Sequence, residues 1–116
     1  MGTSMGCMHS FMWAERWPDA AQAVMPLACL PVPIAGRNRM WRRMAVDLIT
    51  DMPRYAGGEY KAEPVTGLRG AMALLLVAGS TPLPYQLQYP TAQAADAYVE
   101  SALKARLADA DANDTV

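Results

Sequence analysis

Gly2-Thr3-Ser4-Met5-Gly6-Cys7-Met8-His9 stands near the start of the chain, and its first five residues spell G-x-S-x-G. In that pattern a serine occupies a sharp turn from a strand into a helix, with its hydroxyl raised clear of the backbone as a nucleophile. The flanking glycines let two backbones pass without a Cβ clash. Taken alone, Ser4 would serve equally as a helix N-cap. Only Met1 precedes the motif, where a whole strand is expected, and the sole histidine is His9. The placement predicts an internal piece of a serine-nucleophile enzyme, inactive by itself.

Composition narrows the partners. A chain of 116 residues is one domain's worth, and a chain of that size buries roughly 65% of its unfolded surface when its pattern allows. Ten Lys and Arg balance eleven Asp and Glu, so no field favours nucleic acid or an anionic membrane. Arg37, Arg39, Arg42 and Arg43 cluster, but Asp47 and Asp51 follow at helical spacing, which reads as a solvated helix face. Cys7 and Cys29 lack C-x-x-C spacing and a histidine pair, so no zinc or redox motif is indicated, and a disulfide between them stays open. No metal or cofactor is expected. The most apolar run, Ala71 to Gly79, is far shorter than the ~20 residues that span a bilayer and reads as a buried helix.

Outward from the motif, Met8, Met12, Trp13 and Trp17 recur at helical spacing until Pro18. Ala23 to Cys29 is a short apolar run suited to a buried parallel strand, with Pro26 as an interruption and no ladder partner in view. A helix is expected from about Asn38 to Asp51, with Met40, Trp41, Met44 and Leu48 supplying its apolar faces, and Pro53 stops it. Arg54 to Thr66 reads as a loop around Gly57-Gly58. The next helix starts at Thr66 or Gly67 and runs through Leu68, Met72, Leu75, Leu76 and Ala78. Gly79 to Pro90, with three prolines, reads as a loop, and Thr91 as the N-cap of a last helix through Tyr98, Leu103 and Leu107.

The ordered set of motifs resembles the homoserine O-acetyltransferase-like branch of the α/β-hydrolase superfamily. The elbow, then Trp13-Ala14-Glu15 and Trp17-Pro18-Asp19, are similar to that branch's elbow, helix and following turn. Arg43-Met44-Ala45-Val46, Gly58-Glu59-Tyr60 and Gly67-Leu68 resemble segments of its helical cap, and Asp111-Ala112-Asn113-Asp114 its return to the sheet. The resemblance implies an α/β fold class. The chain would be a hydrolase-fold fragment, mostly helical in isolation, with about four helices and one short strand. Residues 1–35 would hold the elbow, its helix and one core strand, and residues 36–116 the cap.

It also implies chemistry. Ser4 would attack an ester or thioester to form an acyl-enzyme, and the backbone N–H of Met5 would help hold the oxyanion. The acid and histidine of the triad would lie beyond Val116. Arg43, Tyr60 and Arg69 are candidate pocket liners. At the cap positions that hold an amino acid substrate in authentic homoserine acyltransferases this chain has Met72 and Gly79, which bind neither carboxylate nor ammonium. A hydrolase-like relative is therefore preferred over a homoserine O-acetyltransferase proper. The partner would be a small acyl ester or thioester, with no nucleic acid and no membrane. The alternative of another class is a non-catalytic helical interaction module whose Met- and Trp-rich faces associate with themselves or with a partner.

Overall fold

The computed structural model describes residues 1–116. The chain separates into two compact units, Met1–Ile34 and Ala35–Val116.

In the first unit, strand β1 (Gly2–Thr3) runs directly into helix α1 (Met5–Arg16). A 3-10 turn at Pro18–Ala20 reverses the chain, and strand β2 (Pro26–Leu27) returns parallel to β1, pairing Gly2 with Pro26 and Thr3 with Leu27. The apolar run from Ala23 thus has a ladder partner after all, in the two residues before Ser4. Pro26 is tolerated because the bonds fall on either side of it. Gly2 N–H donates to the Met25 carbonyl at 3.2 Å and Ser4 N–H to the Leu27 carbonyl at 3.0 Å, so the missing proline N–H is not needed. A disulfide joins Cys7 on α1 to Cys29, two residues past β2, with the Cα atoms 6.0 Å apart. Cys7 is the one buried hydrophobic residue of this unit.

The second unit is helical. It comprises α2 (Gly36–Thr50), a 3-10 segment at Pro53–Gly58, α3 (Val65–Ala78), α4 (Pro82–Gln88), α5 (Ala92–Ala108) and the single turn α6 (Ala112–Thr115). Ala45 and Ile49 of α2 close on Leu68 and Ala71 of α3, and Ala112 completes that core. The approach is close because Gly67 faces α2. A Cβ there would overlap the Leu48 carbonyl oxygen and lie 2.8 Å from Met52 Cγ. Met40, Met44 and Leu48, the stripe expected to pack, stay 42–64% exposed. Small residues let backbones approach, so the contact forms one helical position away from the bulky stripe.

One proline-rich segment departs from the sequence expectation. The stretch read as a loop contains α4, with Pro82 at the start and Pro84 in the first turn, where the backbone N–H groups have no intrahelical acceptor and proline costs nothing. Thr91 caps α5, its hydroxyl accepting from Ala94 N–H at 3.2 Å.

The α/β class is overturned. The chain is 67% helical, with only a two-stranded parallel sheet. Both strands are closed off at their C-terminal ends. Ser4 turns β1 into a helix at φ 54°, and Ala28 turns the chain out of β2 at φ 57°. It is a helical chain with one minimal β-α-β turn, not a layered α/β sheet.

The α2–α3 contact carries a signed test. Gly67→Ala should lower stability by about 1–3 kcal/mol through overpacking. Gly70→Ala, whose Cβ would meet only the Leu48 side chain at 3.4 Å or more, should be neutral or raise stability by up to ~1 kcal/mol. Urea unfolding followed by helical circular dichroism checks the two signs.

Candidate functional site at the Ser4 turn

Three backbone features place Ser4. Gly2 lies so close beneath α1 that a Cβ on it would overlap the Gly6 carbonyl and come within 2.7 Å of Ser10 Oγ. Ser10 Oγ donates to the same Gly6 carbonyl at 2.8 Å, fixing that first turn. Ser4 itself is held from both sides: its N–H donates to Leu27 and its carbonyl accepts from Cys7 N–H at 3.0 Å and Met8 N–H at 3.2 Å. Only Gly2 of the two motif glycines is sterically demanded, because a Cβ on Gly6 meets open space.

The backbone angles of Ser4, φ 54° and ψ −115°, lie outside the regions an L-residue prefers. Such a conformation costs on the order of 1–3 kcal/mol and persists only where its surroundings fix it. Ser4 occupies the N-cap position of α1, yet its side chain makes no capping hydrogen bond. The residue is exposed. A serine selected for capping would have extended backbone and would offer its oxygen to the N–H of the second or third helical residue. Thr91 and Asp111 do this at α5 and α6; Ser4 does not. Its hydroxyl is left free beside the Met5 N–H, one of the helix-start donors without an intrahelical acceptor. An exposed hydroxyl without a capping bond, next in the chain to an N–H without an intrahelical acceptor, suits a carbonyl that becomes an oxyanion on attack.

No base accompanies it. His9 is exposed on α1 and, with Trp13 and Trp17, borders two hollows of about 750 Å³ and 520 Å³ that do not include Ser4. Five residues along a helix place His9 well round the cylinder from Ser4. The rings of Trp13 and Trp17 lie 4.4 Å apart, and both residues are more than half exposed. The disulfide is the feature that sequence reasoning left open. Two cysteines with no motif carry no pairing signal; only their position, one turn past Ser4 and two residues past β2, ties them to the site.

The three candidate pocket liners all lie in the second unit, and each has a different partner. Arg43 Nε pairs with Asp47 one turn along α2 at 2.6 Å, both exposed. Arg42 donates to Asn38 and stacks over Trp41 at 5.0 Å. This is the solvated face expected of that arginine cluster. Arg69 bridges α3 to Glu100 of α5 at 2.8 Å. Tyr60 Oη donates to Asp111 Oδ1 at 2.8 Å, while Asn113 Nδ2 donates to the Gly58 carbonyl at 3.0 Å and Ala112 N–H to Glu63. These bonds clamp α6 against the segment before α3. Nothing gathers Arg43, Tyr60 and Arg69 into one pocket.

The clamp titrates in a defined direction. Burial, with the bond to Asp111, pushes the Tyr60 hydroxyl up to about 12 from 10.0. The same bond from Tyr60 holds the Asp111 carboxyl below its usual 3.8. Tyr60 therefore contributes stability that is complete below pH 10 and lost as pH rises through about 12. Asp111 contributes stability that is complete above its unfolded value and lost as pH falls through the lowered one. Tyr60→Phe should lower the melting temperature at neutral pH, with the gap from wild type closing in strong alkali and in strong acid; melting curves across pH check it. No protein-family model matches the chain.

Proposed function

We propose that Ser4 is the nucleophile of a serine acyl-transfer reaction, attacking an ester or thioester carbonyl to form an acyl ester on Oγ. The Met5 N–H then faces the oxyanion of the tetrahedral intermediate. The observation that carries the reading is the strained, uncapped backbone of Ser4 between β1 and α1. The ordered motifs similar to the homoserine O-acetyltransferase-like branch support the same chemistry. Met72 and Gly79 favour a simple ester or thioester over an amino acid acceptor. These residues supply a nucleophile and one oxyanion donor, and no histidine at the hydroxyl. Losing the histidine of a triad costs on the order of a million-fold in turnover, so the chain alone is a very slow catalyst.

A non-catalytic helical interaction module is a second reading, favoured by the exposure of Met12, Trp13 and Trp17 along α1.

An added base separates the two. With imidazole in solution and an activated acetyl ester as donor, acylation should map to Ser4. It should exceed that of Ser10, Ser80 or Ser101 by tenfold or more, given that one oriented oxyanion donor is worth on the order of a hundredfold. Ser4→Ala and Gly2→Ala should abolish it, and Gly6→Ala should not. Peptide mass spectrometry reads the outcome. Adducts spread evenly over the serines would make Ser4 an ordinary surface residue and leave the interaction module as the better account.

A further inference from the structure

We infer that the Cys7–Cys29 disulfide is a redox latch that sets the backbone of Ser4, so that a thiol reductant switches the nucleophile off. The inference deepens the acyl-transfer reading and rests on it for its consequence, though not for its structural content. The bridge is the one covalent tie on this turn, beside the few backbone hydrogen bonds that place Ser4. The two strands of the first unit contribute two residues each, and the hydrophobic core residues all belong to the second unit. Cys7 lies in the first turn of α1, its N–H donating to the Ser4 carbonyl at 3.0 Å. Cys29 follows Leu27, the acceptor of the Ser4 N–H, by two residues, across Ala28 at φ 57°. The bridge thus ties together the two pieces of chain that hold Ser4 from either side.

The sulfurs differ in access. Cys7 is fully buried and Cys29 is partly exposed, so the incoming thiolate reaches Cys29 Sγ. A thiolate of a dithiol attacks there, the Sγ–Sγ bond breaks, and Cys7 leaves with the electron pair and takes up a proton. The second thiol of the reductant displaces Cys29 from the mixed disulfide and becomes oxidised with the first. Two electrons and two protons pass from the dithiol to the cysteines. With the tether gone, the hydrogen bonds of β1 to β2 face the strain of Ser4 and Ala28 alone, and both residues relax to ordinary dihedrals.

The test uses the full chain, labelled for NMR, with dithiothreitol as reductant and thiol alkylation to count free cysteines. In the oxidised protein the Ser4 Cα and Cβ shifts should report positive φ. Dithiothreitol without denaturant should free both cysteines, move those shifts to ordinary values and speed exchange of the Ser4 amide about tenfold or more, while core amides such as Leu68 keep theirs. Reoxidation should reverse the change, and Cys29→Ser should show the reduced pattern with no response to reductant. The imidazole-dependent acylation of Ser4 should fall by a similar factor on reduction. Unchanged Ser4 shifts with both cysteines alkylated would overturn the latch. So would a bond that yields only after urea unfolding, which marks a static staple. If the shifts switch but Ser4 acylates in neither state, the latch stands and the acyl-transfer reading falls.

Discussion

The Cys7–Cys29 bridge is the constraint on which the Ser4 turn depends. A cross-link closing 22 residues of separation removes loop-closure entropy worth about 3 kcal/mol from the unfolded chain. The strained residues it flanks, Ser4 and Ala28, each cost on the order of 1–3 kcal/mol. A ladder of four strand residues adds little, since net backbone hydrogen bonds contribute only about 1 kcal/mol each. Among these terms the bridge is the one comparable in size with the strain of the turn. No large side chain offsets that strain, because Met5, Met12, Trp13, Trp17 and Met25 are all more than half exposed.

The second unit is held differently. Its core is built from small contacts: alanines 45, 71 and 112 and the Gly67 notch bring α2 and α3 together around Ile49 and Leu68. The polar groups that resemble cap residues are absorbed into that framework. Tyr60 anchors α6 through Asp111, and Arg69 ties α3 to α5 through Glu100. Tyr85, Tyr89 and Tyr98 likewise satisfy one another, with Tyr85 and Tyr98 sharing a hydroxyl hydrogen bond at 2.7 Å and Tyr89 stacked on Tyr98 at 4.3 Å. A side chain committed to a fold contact is less available to a ligand, whatever its motif suggests.

How much of this was legible in the sequence follows from the range of each interaction. Helical spacing and local caps are short-range, so α1, α2, α3 and α5 could be read directly, as could the Thr91 cap and the strand-to-helix turn at Ser4. Pairings across the chain carry no local signal. The apolar run at Ala23–Cys29 shows no partner in the sequence because its partner is only Gly2–Thr3, too short to register as a strand. The disulfide left no motif. The prolines of α4 suggest a loop, although at a helix start they are compatible with the fold. On α2 the Met40, Met44 and Leu48 stripe outweighed Ala45 and Ile49 in hydrophobicity, yet close backbone approach at Gly67 selected the smaller face. The α/β class failed for the same long-range reason. A single β-α-β turn resembles the opening of a layered sheet, whereas the residues that follow β2 in this chain form helices.

The candidate site rests on a contrast between helix starts within one molecule. At α5 and α6, Thr91 and Asp111 have extended backbones and give their side-chain oxygens to the first-turn N–H groups. These caps stabilise their helices by about 1 kcal/mol each. At α1 the same position holds an equally competent capping residue, Ser4, in a backbone state from which it makes no cap. The turn therefore forgoes that stabilisation and adds strain as well. Relaxing Ser4 would require lifting β1 away from α1, which the Gly2–Gly6 contact and the Cys7 bridge both resist. Thr81 at α4 also makes no side-chain cap, but its backbone is extended, so it is the strain, and not the missing cap alone, that sets Ser4 apart. An uncapped, strained serine next to an N–H without an intrahelical acceptor is an arrangement that favours attack on a carbonyl, and for that reason the proposed chemistry centres on Ser4 and not on the better-buried polar clusters of the second unit.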